Sequence, residues 1–127
     1  MQEQHLFEYA VIRIMPRVER EEFINAGIVL YCKSRRFLHV LYEVNKEKIH
    51  SLCMKCDVEE VANHLKAFAS IAAGEKDAGP ISQLDATSRF RWLTAQRSTI
   101  LQTSKVHPGF CEDPMETAEK LFKQLVL

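Results

Sequence analysis

No stretch of this chain is apolar for the length of a bilayer span, and its first ten residues, MQEQHLFEYA, lack the basic-then-apolar order of a secretion signal. Both absences lead to the expectation of a cytoplasmic protein without membrane contact. Net charge is absent as well, because 17 lysines and arginines balance 17 aspartates and glutamates. General nucleic-acid or membrane-surface binders are usually basic overall, so neutrality argues against both. No internal repeat and no low-complexity tract interrupts the 127 residues, which are expected to form one domain over 1–127. Without a secretion signal, the four cysteines (Cys32, Cys53, Cys56 and Cys111) are expected as reduced thiols, two of them buried.

The most informative absence is local. Residues 86–111, 26 in all, contain no carboxylate, yet they carry Arg89, Arg91, Arg97, Lys105 and His107. Seven hydroxyls (Thr87, Ser88, Thr94, Ser98, Thr99, Thr103 and Ser104) and the single tryptophan, Trp92, lie in the same stretch. Guanidinium forks match phosphate or carboxylate oxygens, and hydroxyls add neutral hydrogen bonds. Anion recognition, if present, is local to this segment.

Alternation of apolar and polar residues predicts a first strand over Glu8 to Met15, ended by Pro16. The charged run Arg17 to Asn25 suggests one or two helical turns, with Arg17 and Glu21 spaced for an i,i+4 pair. Gly27 would permit a turn into a second strand, Ile28 to Cys32. Lys33-Ser34-Arg35 then connects to a third, Arg36 to Glu43, closing an antiparallel hairpin. Asp57 stands three residues before Glu60 and opens a long helix whose apolar face is Val58, Val61, Leu65, Phe68 and Ala72, closed by Gly74. A loop over Glu75 to Pro80 precedes a short helix from Ser82 or Asp85 to Thr94. Ser98 to Ser104 reads as a fourth strand. Asp113-Pro114-x-Glu116 combines an N-cap, an N1 proline and an N3 glutamate before a terminal helix. The expected fold class is α+β, a mainly antiparallel sheet of about four strands packed by two or three helices.

Helical geometry would place Arg89 and Arg91 about 200° apart, so only one of them is expected to join Arg97. Arg89 could then lie over Trp92. The simpler alternative pairs these arginines with the glutamates of residues 19–22. Cys53-x-x-Cys56 between His50 and His64 invites a zinc reading. His64 falls inside the long helix and a second ligand pair is missing, so the thiols are read as structural, with no metal and no cofactor. Glu19, Glu21 and Glu22 as a lone acidic run are read as a solvated face. His39 is expected as a strand residue. His107, placed in a loop before Pro108-Gly109, could act as a general acid or base, but no nucleophile–base–orienter set is visible beside it.

Two blocks, YAVIRIMPRVEREEFINAGIVLYC (residues 9–32) and GPISQLDATSRFRWLTAQRSTILQTSKVHPGFCEDP (residues 79–114), resemble an uncharacterised bacterial family catalogued as domain of unknown function 3037. RFRWLT, RS and QTS carry the likeness in the second block. NAGIV stands where NVGVV would be expected. The resemblance implies a small intracellular bacterial protein, brings no activity with it, and hints at a kinase-like neighbour as partner. Cys53 and Cys56 lie outside both blocks.

Three readings stay open at this level. In the first, Arg97, Ser98, one of Arg89 or Arg91, and Arg17 or Arg20 form a basic groove for a phosphate-bearing small molecule or an acidic protein partner, with Gln102 and His107 beside it. In the second, the chain is a metal-assisted enzyme on a phosphorylated or nucleotide substrate, Glu19 or Glu22 holding the metal or acting as base and His107 moving a proton. In the third, the chain is a structural subunit whose arginines pair internally. A homodimer is compatible with an uncovered strand edge or terminal helix.

Overall fold

The computed structural model describes residues 3–97 and 99–127. Strand β1 (His5–Arg17) is the axis of the sheet. It pairs antiparallel with β2 (Glu22–Cys32), which pairs antiparallel with β3 (Phe37–Tyr42). The opposite edge of β1 is shared by two short strands. β4 (Leu101–Thr103) pairs with residues 12–14, and β5 (His107–Cys111) with residues 5–9. Five strands therefore make a sheet four strands wide, and the α+β expectation is met with one strand more than foreseen.

Period-two alternation along β1 sends two sets of side chains to opposite layers. Ala10, Ile12 and Ile14 pack with Val29 and Tyr31 of β2 against Ile49 of α1 (Lys46–Leu52), Val61, Leu65, Phe68 and Ala72 of α2 (Val58–Ala73), and Phe90 and Leu93 of α3 (Ala86–Leu93). On the other face Phe7, Ile28, Leu30 and Cys32 pack against Ala118 and Val126, brought there by α4 (Pro114–Leu125). The result is a sheet between three helices and one. Among the described residues no helix is long and apolar enough to cross a membrane.

The helices begin where their caps place them. Asp57 accepts from the amides of Glu59 and Glu60, Asp85 from Ser88, and Asp113 from Met115 and Glu116. Gly74 ends α2 at φ 71°, the left-handed conformation a helix C-terminus favours. The seven-residue α1 has the same device, Asn45 Oδ1 accepting from Lys48 N at 3.0 Å, in a segment to which the sequence reading gave no element.

Three expectations fail, each for a tertiary reason. Residues 17–25 are not helical beyond a three-residue 3-10 turn, Val18–Arg20. Glu22 onward is strand, because pairing with β1 continues to Arg17↔Glu22 and buries Ile14 beside Ile24. Arg20, at the end of that turn, pairs with Glu22 across the left-handed Glu21 (φ 54°), and no Arg17–Glu21 ion pair forms. Gly27 is no turn residue. It sits in mid-strand opposite Ile12 and Tyr42, where a Cβ would lie 2.4 Å from the Leu41 carbonyl oxygen. His107 is in a strand rather than a loop, since the outer half of β1 needs partners for its backbone groups and residues 107–111 supply them. Pro108 is tolerated there because β5 is an edge.

Candidate functional site

The three arginines of the carboxylate-free segment separate as helical geometry requires. Arg89 turns towards the C-terminus of α2, donating from Nη1 to Leu84 O at 2.6 Å and from Nη2 to Ala72 O at 3.5 Å. A cation is favoured at that end of a helix, where carbonyls are left unpaired. Its Nε is buried without a partner. Arg97, not Arg89, lies over the Trp92 ring, with Cζ 4.6 Å from the centroid. It also donates from Nη2 to Trp92 O and from Nε to Ala95 O at 3.3 Å, and burial pushes its pKa down. Its cleft, about 210 Å³ against His64, Phe68 and Ile71 of α2, is largely apolar. Both guanidinium groups are thus committed to backbone carbonyls, and neither meets the glutamates of residues 19–22.

The other expected residues are scattered. Arg17 and Arg20 lie exposed at the β1–β2 connection. Gln102 faces Arg13 across the β1–β4 ladder and donates to Thr99 O at 3.0 Å. His107 is opposite Tyr9, rings 5.4 Å apart, on the α4 side of the sheet. Ser98 lies outside the described residues. Eight positions along β1 separate the partner of His107 from the partner of Glu22, roughly 26 Å of strand. A metal-assisted site combining Glu22 with His107 is not assembled. Among the described residues no group of three His, Cys, Asp or Glu side chains could hold a metal. Cys53 and Cys56 flank the turn between α1 and α2, and His64 faces solvent beside Glu60 at 3.6 Å. Burial, and then the neighbouring Cys53, raise the Cys56 pKa, while burial raises that of Cys111. All four cysteines are free, with Cys32 and Cys111 buried.

Arg91 alone reaches an open site. Strand β1 has 13 residues, roughly 43 Å of chain, whereas the eight residues of α3 span roughly 12 Å. The outer end of the sheet therefore emerges from under the helix. There Leu6 and Phe110 form an exposed cross-strand pair, and Glu8 with the buried Tyr31 forms the next pair on the same face, at the edge of α3. Thr87 and Arg91, one turn apart on α3, form one wall, and Lys33 and Ser34 of the β2–β3 turn form another. With Gln4 and His5 these residues enclose a cleft of about 760 Å³. A smaller recess of about 150 Å³ continues it past Phe90 and Thr94 to Val106. The Tyr31 hydroxyl bonds Thr87 Oγ1 and the Tyr31 ring lies 5.2 Å from that of Phe90, which fastens α3 to β2.

The floor of the cleft is apolar at Leu6 and Phe110, 54% and 69% exposed, so a ligand with an apolar portion would cover both. Among the described residues Arg91 makes no ion pair and no side-chain hydrogen bond. Lys33 interacts with Asp85, whose carboxyl is held below its usual range by hydrogen bonds from Ser88 and then by Arg89 and Lys33. His5 Nδ1 is 3.0 Å from Ser34 Oγ, and its Nε2 is 3.8 Å from Glu3 Oε2. The sequence singled out Arg91 but missed His5, Lys33 and Ser34. Nothing local marks them, because β1, β2 and their turn bring them together across some 30 positions.

The chain belongs to the family described as Protein of unknown function (DUF3037), whose model matches residues 9–126. No curated protein and no solved structure matches it. The matched span includes Tyr31, Lys33, Ser34, Thr87, Arg91 and Phe110 of the cleft, and starts just after Gln4, His5, Leu6 and Glu8.

Proposed function

We propose that this family member is a binding module whose recognition surface is the cleft between the outer end of the sheet and α3, and that its ligand carries a phosphate or carboxylate. The observation that carries the reading is Arg91, a guanidinium on the wall of a cleft of about 760 Å³ with no partner inside the protein among the described residues. An unpaired fork of donors gains most from a planar or tetrahedral oxyanion. Lys33 opposite adds a point charge, and Thr87 and Ser34 add hydroxyl donors. The cleft volume falls within the range of about 300–1,000 Å³ of small-molecule sites. Glu8 on the floor disfavours a ligand that is anionic throughout, so the charge is expected at the Arg91 end and apolar surface over Leu6 and Phe110. An acidic segment of a protein partner, such as a kinase-like neighbour, would meet the same cations.

Thermal denaturation against inorganic phosphate, pyrophosphate, nucleotides and succinate tests this. A ligand at a hundredfold excess over its Kd should stabilise by about 2.7 kcal/mol. Arg91→Gln should abolish the shift while leaving the unliganded melting point within about 0.5 kcal/mol of the original, as for an exposed residue without partners. Absence of any shift across the panel, or an undiminished shift in Arg91→Gln, refutes the reading.

A further inference from the structure

We propose that the protein associates with a second copy of itself through the outer edge of β3, so that two sheets join into one across a two-fold axis. This edge lies on the opposite side of the sheet from β4 and β5, and the inference stands independently of what the cleft binds.

Alternate residues of an antiparallel strand turn their N–H and C=O to one neighbour, and the residues between turn theirs the other way. Just past β3, the Glu43 amide donates to Ala26 O of β2 at 2.8 Å. By the same alternation Phe37, His39 and Leu41 face Cys32, Leu30 and Ile28, whereas Leu38, Val40 and Tyr42 turn their backbone groups away from β2. Among the described residues these three make no backbone hydrogen bond to any other element.

The two edges of the sheet differ in how they are protected. Ser104 N donates to Val11 O at 2.9 Å, so the odd residues of β1 face β5, and Pro108 and Phe110 turn outward. Pro108 has no N–H to offer there, and that edge is divided between two short strands. Strand β3 has neither device. Its residues, FLHVLY, include no proline, lysine, arginine or acid, and its pairing with β2 has no bulge. An unbroken edge of this kind accepts another strand.

A second copy fits because β3 complements itself. Arg35 and Arg36 precede the strand and Glu43 follows it, and none of the three has an ion pair among the described residues. Antiparallel pairing sets the basic start of one strand beside the acidic end of the other. With Val40 opposite Val40 of the second copy, the outward groups come into register. The two valines exchange two hydrogen bonds and each Leu38–Tyr42 pair exchanges two more, six in all. Tyr42, 37% exposed, is then covered by Leu38 of the second copy, and Glu43 lies beside the Arg35–Arg36 turn. Two-fold symmetry repeats each contact.

Sedimentation velocity of the full chain between about 1 and 100 µM should show monomer passing to dimer, as suits a small interface. Amide exchange followed residue by residue by NMR should slow at Leu38, Val40 and Tyr42 as the dimer forms, while Phe110 at the other edge keeps one rate. Tyr42→Lys puts a lysine on each edge and should weaken association by about tenfold or more. Glu43→Arg should weaken it too, and adding Arg35→Glu and Arg36→Glu should restore it, a recovery that a folding defect does not give. This charge exchange decides if Tyr42→Lys alters the circular dichroism of the monomer. Arg91→Gln should leave association unchanged, so failure here leaves the binding reading standing. A chain that stays monomeric at the highest concentration overturns the proposal. So does a dimer that withstands the folded Tyr42→Lys, gains nothing from the charge exchange, or leaves the three amides exchanging at the monomer's rate.

Discussion

Arg89 and Arg91 are two positions apart and serve opposite ends. Arg89 is turned inward, and its guanidinium carbon would lie 3.4 Å from a Cβ added at Gly74, the residue that ends α2. Its hydrogen bonds to Leu84 O and Ala72 O join the end of one helix to the approach of the next. Arg89→Gln is too short to keep both and should cost about 1–3 kcal/mol, since hydrogen bonds involving a charged group exceed neutral ones. Urea denaturation measures this, and a loss below about 0.5 kcal/mol would refute the structural role. Arg91, by contrast, should be nearly silent in the same experiment and speak only through a ligand.

Among the elements, α3 has a capping side chain whose titration is shifted by the cap itself. Asp85 caps it, and the capping bond from Ser88 is the largest influence depressing its carboxyl pKa. The folded protein therefore binds this proton less readily than the unfolded chain. The resulting stabilisation is whole above the ordinary carboxyl value of 3.8 and is lost as pH falls through the lower folded value. Trp92, the only tryptophan, lies on the same helix and reports its loosening. An acid step in Trp92 fluorescence below about pH 4 is expected in the native protein and should shrink in Asp85→Asn, which retains a capping oxygen without the titration. Identical profiles would refute it. Element by element, legibility follows locality. The caps Asp57, Asp85 and Asp113 announce α2, α3 and α4 because a capping bond joins residues two or three apart. Residues 22–25 read as helix from their charges but are held as strand by β1, and the Asn45 cap of α1 was overlooked beside only seven helical residues.

On the scale of the whole molecule, a single sheet is stabilised from both faces, so damage to either layer should be felt throughout. Leu65 is fully buried in the larger layer, between α2 and the sheet. Leu65→Ala should cost about 2–5 kcal/mol, a large share of the 5–15 kcal/mol that holds a domain together. Far-ultraviolet circular dichroism and Trp92 fluorescence should lose signal in one shared transition. Two separate transitions would show the layers to be independent.

By itself the sequence determined which segments become α2, α3 and α4, the β2–β3 hairpin, the α+β class, and the supply of cations and hydroxyls in residues 86–111. These depend on periodicity and on hydrogen bonds that span a few positions. Only the tertiary structure decided which cations remain available. Arg89 and Arg97 are occupied by carbonyls, Arg17 and Arg20 lie at the far end of the sheet, and Arg91 opens onto the cleft. It also decided that β1 outruns α3, and that Ser34 meets His5 across 29 positions of sequence. A side chain's type is written in the chain, but its partners are set by which distant strands and helices pack beside it.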